Sequence, residues 1–286
     1  MGKNQKAISM YVIYALLIVG IIVSVFFLAP RTLEIKEGYT YFSEQVGYSN
    51  GLDFGDINNV NTETVYIDER LIRSDTLLRM EDGIAVIENN YQGFNKFNEQ
   101  TFNSSNVYAV DRYTKENVPA EGVEDAPGYF TFPPHVEKKD YLFSSPEVVE
   151  QPEKVVFKSE ERVRGLSVYR FDYEIPKVDK SHFFPESITN IGSVKGDHKG
   201  SLWVEPTTGY IVNFSHGGEN FIHDQDTDEE IMFFQNWENG FTEDTVDRHV
   251  KAAKQIKSQY NLYSRTVPLI LFVIGFVLVY RSRKDG

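Results

Sequence analysis

Residues 8–29 read ISMYVIYALLIVGIIVSVFFLA, and residues 267–280 read VPLILFVIGFVLVY. The first run has 22 residues without a charge, which meets the roughly 20 residues that a helix needs to cross about 30 Å of hydrocarbon. The second run is shorter, but it can extend toward the amino terminus if the long side chain of Arg265 reaches the interface. The sequence therefore predicts transmembrane helices at residues 8–29 and 265–280.

A cleaved signal peptide is the alternative interpretation of the first run, because Lys3 and Lys6 give it a positive flank. Signal peptides have apolar cores of about 7–15 residues and end at an A-x-A-like site. This run is longer, and it ends with Ala29-Pro30 rather than with such a site. A retained helix is therefore the favoured interpretation.

Basic residues flank the outer ends of both runs. These residues are Lys3, Lys6, Arg281, Arg283 and Lys284. Because basic flanks tend to stay in the cytoplasm, we expect cytoplasmic tips at residues 1–7 and 281–286. The main domain, residues 30–241, is then expected outside the cell membrane.

The composition restricts the classes of function. The chain has 29 Lys and Arg against 42 Asp and Glu, and an acidic surface argues against nucleic acid as a partner. It has no cysteine, so disulfides and Cys-ligated zinc are excluded. It carries no H-E-x-x-H, G-x-S-x-G, P-loop or G-x-G-x-x-G motif. We therefore predict no enzymatic activity and no cofactor.

The stretch between the two runs has the alternating pattern of β-strands. Apolar and polar residues alternate in KVVFK at 154–158 and in SVYRFDYE at 167–174. The segments 200–205 (GSLWVE) and 209–215 (GYIVNFS) flank Pro-Thr-Thr-Gly, which suits a tight reversal and predicts a hairpin. Further predicted strands lie at 62–67, 70–80, 84–88, 219–223 and 230–235. Residues 89–106, rich in Asn and Gln, predict a loop with a short helix.

One amphipathic helix is predicted before the second apolar run. Thr242 suits the N-cap position, and apolar side chains recur every three or four residues as far as Tyr263. We expect residues 242–264 to form a stalk helix. The predicted fold class is thus a β-rich α+β exterior domain, an antiparallel meander in a curved sheet, flanked by two transmembrane α-helices.

Several segments together resemble the porin PorA family. They are Phe132-Pro133, EKKDY at 137–141, GLSVYRF at 165–171, LWVEPTTG at 202–209 and residues 245–268. The resemblance implies an envelope protein with an amino-terminal span, an exterior domain and a carboxy-terminal span. The family's name implies a channel, and the resemblance carries no catalytic residues.

Two functional interpretations follow. The favoured one is a non-enzymatic two-pass cell-envelope protein whose exterior domain binds a ligand, a lipid or a neighbouring envelope protein. The alternative is a subunit of an oligomeric channel. A helical pore needs a polar stripe facing its lumen. For such a stripe the first run offers only Ser9, Gly20 and Ser24 beside its tyrosines, and the second only Gly275. Expected partners are membrane lipids and either an envelope protein or further copies of the chain.

An acidic segment, HDQDTDEE at 223–230, is a candidate cation site. Asp224, Asp226 and Asp228 have the alternate spacing of a calcium loop. However, position six is Glu229 and position twelve is Gln235, where an EF-hand needs Gly and Glu. A solvated hairpin tip is therefore favoured over calcium binding.

Two sequons are candidate glycosylation sites in an exterior domain. They begin at Asn103 and Asn213.

Overall fold

The structure is a computed structural model that describes residues 3–53, 61–123, 126–144, 152–181 and 189–284. It divides into two units. Residues 1–34 and 252–286 form a helical unit, and residues 35–251 form a β-rich unit.

The helices follow the two apolar runs closely. Two of them, those spanning Met10–Arg31 and Glu243–Ser282, are long and apolar enough to cross a membrane. Each contains one π-helical turn, Ser24–Leu28 in the first and Leu262–Thr266 in the second. The α-helical segments are α1 (Lys3–Val23), α2 (Ala29–Arg31), α3 (Glu243–Asn261) and α4 (Val267–Lys284).

Small residues line the contact between α1 and α4. A Cβ atom at Gly20 would lie 3.1 Å from Cδ1 of Leu271, so the helices approach closely at this point. The buried Ser24 hydroxyl donates a 2.6 Å hydrogen bond to the carbonyl oxygen of Tyr263, and these two residues lie in the two π-helical turns. Small residues with an interhelical hydrogen bond are typical of helix pairs in membranes.

In the described residues, the β-rich unit contains a sheet of ten strands that are antiparallel to their neighbours, which confirms the predicted β-rich meander. Its spatial order is β4-β3-β2-β1-β10-β9-β8-β7-β6-β5, so the first and last strands pair at its middle. The strands are β1 (Thr40–Asp53), β2 (Asn61–Glu81), β3 (Ile84–Asn95), β4 (Gln100–Asp111), β5 (Tyr141–Phe143), β6 (Glu153–Val163), β7 (Leu166–Asp179), β8 (Ser193–Glu205), β9 (Tyr210–His223) and β10 (Glu230–Phe241).

The prediction of a loop with a short helix at residues 89–106 is wrong. These residues form the long hairpin of β3 and β4, in which Asn89 pairs with Asn106 and Asn90 with Ser105. Asn and Gln have low strand propensity, but pairing with neighbouring strands outweighs local preference. The turn before β9 is confirmed, with Gly209 at φ +70° and its N–H donating to the carbonyl oxygen of Glu205.

The predicted cap of the amphipathic helix is also confirmed. The Thr242 hydroxyl accepts a 3.1 Å hydrogen bond from the N–H of Thr245, which satisfies one of the free donors at the start of α3. Within the β-rich unit, the Nε2–H of His249 from this helix donates a 2.8 Å hydrogen bond to the carbonyl oxygen of Phe42. This contact attaches the first turns of α3 to β1.

A cluster of aromatic rings forms the core on one face of the sheet. The ring of Phe132 lies 4.8 Å from that of Phe171 and 5.1 Å from that of Phe143, measured between centroids. Phe171 pairs with Leu202, and Leu202 with Phe214, so this inner face is continuous across β7, β8 and β9. All five side chains are at most 1% exposed.

Irregular stretches at residues 112–123 and 126–140 contact both edges of the sheet. Near β4, the N–H of Val118 donates to the carbonyl oxygen of Ala109. Near β5, the N–H of Tyr129 donates to the carbonyl oxygen of Leu142. Isolated bridges from Val110 to Asn117, from Glu116 to Tyr129 and from Tyr129 to Phe143 thus link the two edge strands through these stretches.

Candidate ligand groove

A groove of about 790 Å³ lies across β6 to β10 and β1. Strand register places its polar side chains in rows on the face opposite the aromatic core, here called the outer face. Asp172 of β7 pairs with Ser201 of β8, and Ser201 pairs with Ser215 of β9. In the next row, Glu174 pairs with Lys199.

Arg170 is the centre of a hydrogen-bonded network in this groove. Its guanidinium donates to both carboxylate oxygens of Asp172, at 2.8 and 3.3 Å, and to the Ser201 hydroxyl at 3.2 Å. The Ser201 hydroxyl in turn donates to Asp172 at 2.8 Å. Two-point pairing holds the guanidinium in one orientation, so this part of the groove is preorganised.

Glu161 and Trp203 extend the network along the outer face. The indole N–H of Trp203 donates a 2.7 Å hydrogen bond to Glu161, and the Arg170 guanidinium lies 5.5 Å from the centroid of the indole ring. The hydrogen bond from Trp203, followed by that from Ser159, lowers the pKa of the Glu161 carboxyl. Glu161 is therefore charged under neutral conditions.

Consecutive glycines in β9 allow the backbones of neighbouring strands to approach closely beneath the groove. A Cβ atom at Gly217 would lie 2.7 Å from the carbonyl oxygen of Trp237, and one at Gly218 would lie 2.0 Å from that of Asp197. Larger residues would therefore force the strands apart at this point. Both glycines are buried, so they allow close packing of the strands beneath the groove.

His216 and Trp237 also border the groove, although strand register places their rings on the inner face, where His216 packs against Phe214 with ring centroids 4.7 Å apart. The rings of His216 and Trp237 pack edge to face with centroids 4.8 Å apart, and Lys180 places its ammonium 4.7 Å from the centroid of the indole ring. Burial, and secondarily the charge of Lys180, lowers the pKa of His216 to about 3. This histidine is neutral, and neither of its ring nitrogens has a hydrogen-bond partner among the described residues.

Charges of both signs surround the network. The Tyr48 hydroxyl donates to Glu238 at 3.1 Å at the β1–β10 side of the groove. The other charged lining residues are Glu153, Lys154, Lys158, Glu174, Lys199 and Glu219. The groove thus offers donors, acceptors and both charge signs, and its character is hydrophilic.

The three aspartates proposed for calcium lie in the turn between β9 and β10. Asp224 accepts hydrogen bonds from the N–H groups of Asp226 and Thr227, which lower the pKa of its carboxyl. Asp228 pairs with Lys195 at 2.5 Å. Within the described ranges, no group of three or more His, Cys, Asp or Glu side chains is placed to hold a metal ion. A solvated hairpin tip, favoured over calcium binding, stays a prediction.

The two sequon asparagines differ in exposure. Asn103 is exposed on the edge strand β4, whereas Asn213 is half-buried on β9 and its side-chain oxygen accepts a hydrogen bond from the N–H of Phe214. Glycosylation at either asparagine stays a prediction.

Sequence reasoning identified the strands that carry the groove but not the groove itself. Arg170 and Asp172 stand two residues apart in an alternating strand, so a shared face was detectable. Ser201 and Glu161 join them only through strand register. That register is set by long-range packing rather than by local pattern.

The family model of Porin PorA matches residues 90–282, which include β4 to β10 and α3 and most of α4. The chain belongs to the porin PorA family. Membership and two helices that are apolar enough to span a membrane make it a membrane-associated envelope protein. No curated protein matches its sequence significantly.

Solved structures show only remote likeness to this PorA family member. A double mutant of the porin of Rh. blastica has 6% sequence identity and a TM-score of 0.26, over 71% of this chain and 99% of that one. A triple mutant of the Rhodopseudomonas blastica porin has 10% identity and a TM-score of 0.21, over 66% of this chain and 71% of the porin. An acyl-CoA thioesterase II from Mycobacterium marinum has 12% identity and a TM-score of 0.13, over 75% and 86%. At these scores the matches carry no argument about function.

Proposed function

We propose that this PorA family member is a non-enzymatic envelope protein whose β-rich domain binds a hydrophilic ligand in the groove. The observation that carries the proposal is the preorganised Arg170–Asp172–Ser201 network within a groove of about 790 Å³. This volume lies in the range of about 300–1,000 Å³ for small-molecule sites. Fixed polar groups bind a ligand without the entropy cost of ordering them.

The chemistry of the lining favours a hydroxyl-rich ligand, such as an envelope glycan. Sugar hydroxyls donate to carboxylates and accept from guanidinium and ammonium groups, and both kinds of partner alternate here: Asp172, Glu174, Arg170 and Lys199. A lipid acyl chain, the other ligand considered, would require an apolar cavity. The inner face is instead filled by packed rings, with Phe132 4.8 Å from Phe171.

We further propose that the two apolar helices cross the cell membrane with both tips in the cytoplasm. Their apolar side chains are exposed over most of their surface, as lipid contact requires: Leu16 is 65% exposed and Phe276 66%. The basic flanks favour a cytoplasmic location for the two ends. In this topology residues 30–241, with the groove, lie outside the cell, and residues 242–264 connect them to the membrane.

The test is binding of oligosaccharides released from the cell envelope to the full-length protein in lipid nanodiscs, measured by calorimetry. Arg170→Lys keeps the charge but loses the two-point pairing, and we expect it to weaken binding at least about tenfold. Arg79→Lys is the matched control, because Arg79 is 41% exposed against 37% for Arg170 and also pairs with an acid two residues later. Equal binding by both variants, or none by the unmodified protein, would reject a ligand groove.

An oligomeric channel is the second candidate, and the family membership favours it. The helices give it little support, because Ser24 is buried against Tyr263 instead of facing a lumen. Single-channel recording in planar bilayers distinguishes the two candidates. Stepwise conductance whose frequency rises with the amount of added protein would establish a channel. Bilayers that contain intact protein but show no conductance would favour the binding function.

A further inference from the structure

Among the described residues, the outer side of β4 is unpaired along Asn103–Val107, because no strand pairs with it on the side away from β3. We infer that this edge pairs antiparallel with the same edge of a second copy of the chain, joining two ten-stranded sheets across a two-fold axis. The inference is independent of the groove, because β3 and β2 separate β4 from β1, the nearest strand that lines the groove.

The same edge already forms strand-like pairing closer to its end. The carbonyl oxygen of Ala109 accepts a 2.9 Å hydrogen bond from the N–H of Val118, and Val110 forms an antiparallel bridge with Asn117. In an antiparallel strand, alternate residues direct both N–H and C=O to the same side. Val107, Ser105 and Asn103 therefore direct their backbone groups outward, as Ala109 does.

The composition of residues 103–107 does not protect this edge against pairing with another strand. Residues 103–107 read NSSNV, without a charge or a proline, and all five are exposed. Proteins commonly guard open edges against pairing with charged residues, proline or bulges. The opposite edge has that protection, because β6, beyond its short pairing with β5 at residues 153–155, carries Lys158, Glu160, Glu161 and Arg162.

The difference in charge between the two sheet edges favours pairing of the β4 edge with the same edge of a second copy. With the axis at Ser105, each Ser105 lies opposite its copy and Asn103 lies opposite Val107 of the other chain. No like charges meet in that register, and facing serines can exchange hydrogen bonds. Pairing with β6 of another copy would instead place this neutral edge against a row of charges. The inferred partner is therefore the identical strand.

Cysteine chemistry tests the register directly, because the chain has no cysteine of its own. In a hydrogen-bonded antiparallel pair the facing Cα atoms lie about 5.5 Å apart, which suits a disulfide. We expect Ser105→Cys, as full-length protein in mild detergent under gentle oxidation, to form a covalent dimer of the 32.9 kDa chain. Asp226→Cys, on an exposed turn, is the control and is expected to stay monomeric.

Native mass spectrometry gives the second measurement. Ser105→Lys places two like charges face to face and is expected to raise the dimer dissociation constant at least about tenfold. Asp226→Asn changes the net charge by the same amount away from the edge and should leave the dimer intact. A monomeric unmodified protein, a dimer that survives Ser105→Lys, or a failure of Ser105→Cys to cross-link would each overturn the inference. Circular dichroism verifies that each variant is folded.

Discussion

Glu161 and Trp203 stand on strands β6 and β8, separated by β7, and are joined by a 2.7 Å hydrogen bond from the indole N–H to the carboxylate. The bond crosses over Arg170 on the intervening strand, whose guanidinium is 3.7 Å from Glu161. Three neighbouring strands are thereby cross-linked on the outer face, at one end of the groove.

The first prediction concerns pH. The pKa of Glu161 is lowered in the folded protein, first by the hydrogen bond from Trp203. A lowered carboxyl pKa stabilises the fold above the unfolded value of about 4.5, and this contribution is lost as the pH falls through the folded pKa. In the Trp203→Phe variant, the free energy of unfolding should therefore decrease less than in the unmodified protein as the pH falls below about 4.5. Urea unfolding at pH 7 and at pH 3.5 measures this, and an unchanged pH dependence would contradict it.

The second prediction concerns the aromatic core. Phe132 is fully buried against Phe143, Phe171 and Tyr141. Phe132→Ala should lower the free energy of unfolding by about 3–5 kcal/mol, because transfer and cavity costs add. Phe97, which is 72% exposed, is the control; its alanine variant should change stability by less than about 0.5 kcal/mol. Denaturant titration compares the two.

The third prediction concerns the buried ion pair of β2. Arg73 donates two hydrogen bonds to Asp75, at 2.9 and 2.8 Å, and Asn89 donates a third to the same carboxylate. Arg73 and Asp75 are 3% and 1% exposed. Arg73→Met should cost about 3–5 kcal/mol, because it leaves a buried carboxylate without its cation.

The double variant Arg73→Met/Asp75→Leu sharpens that test. Replacing both charges removes the uncompensated carboxylate, so it should be more stable than Arg73→Met alone. Thermal unfolding of the single and double variants gives the comparison. A double variant that is less stable than the single one would show that the pair itself, rather than the orphaned charge, dominates.

The fourth prediction concerns calcium. Asp224 already accepts hydrogen bonds within its turn, and Asp228 already pairs with Lys195. We expect about 1 mM calcium to leave the melting temperature unchanged, since a ligand that binds only the folded state would raise it. Calorimetric scans with calcium and with chelator decide the matter. A rise that Asp224→Asn abolishes would instead establish a cation site in this turn.

The sequence pattern predicted those elements of the fold that are determined by residues close together in the chain. The apolar runs, the alternation in β7 and the Pro-Thr-Thr-Gly turn each carry their signal within about ten residues. The β3–β4 hairpin was missed because Asn89 and Asn106 are poor strand formers that pairing holds in place. The groove was missed because Asp172 meets Ser201 only through the register of two long strands.

The position of β1 beside β10 has a consequence for how the chain folds. Gln45 of β1 pairs with Phe241 of β10, and the other eight described strands lie between β1 and β10 in the sequence. Such a high contact order slows folding, because a long loop must close before the pairing compensates for it. Until the last strand is made, the inner edges of β1 and β9 both stay open. This protein is therefore expected to complete its sheet only after nearly the whole chain has been synthesised.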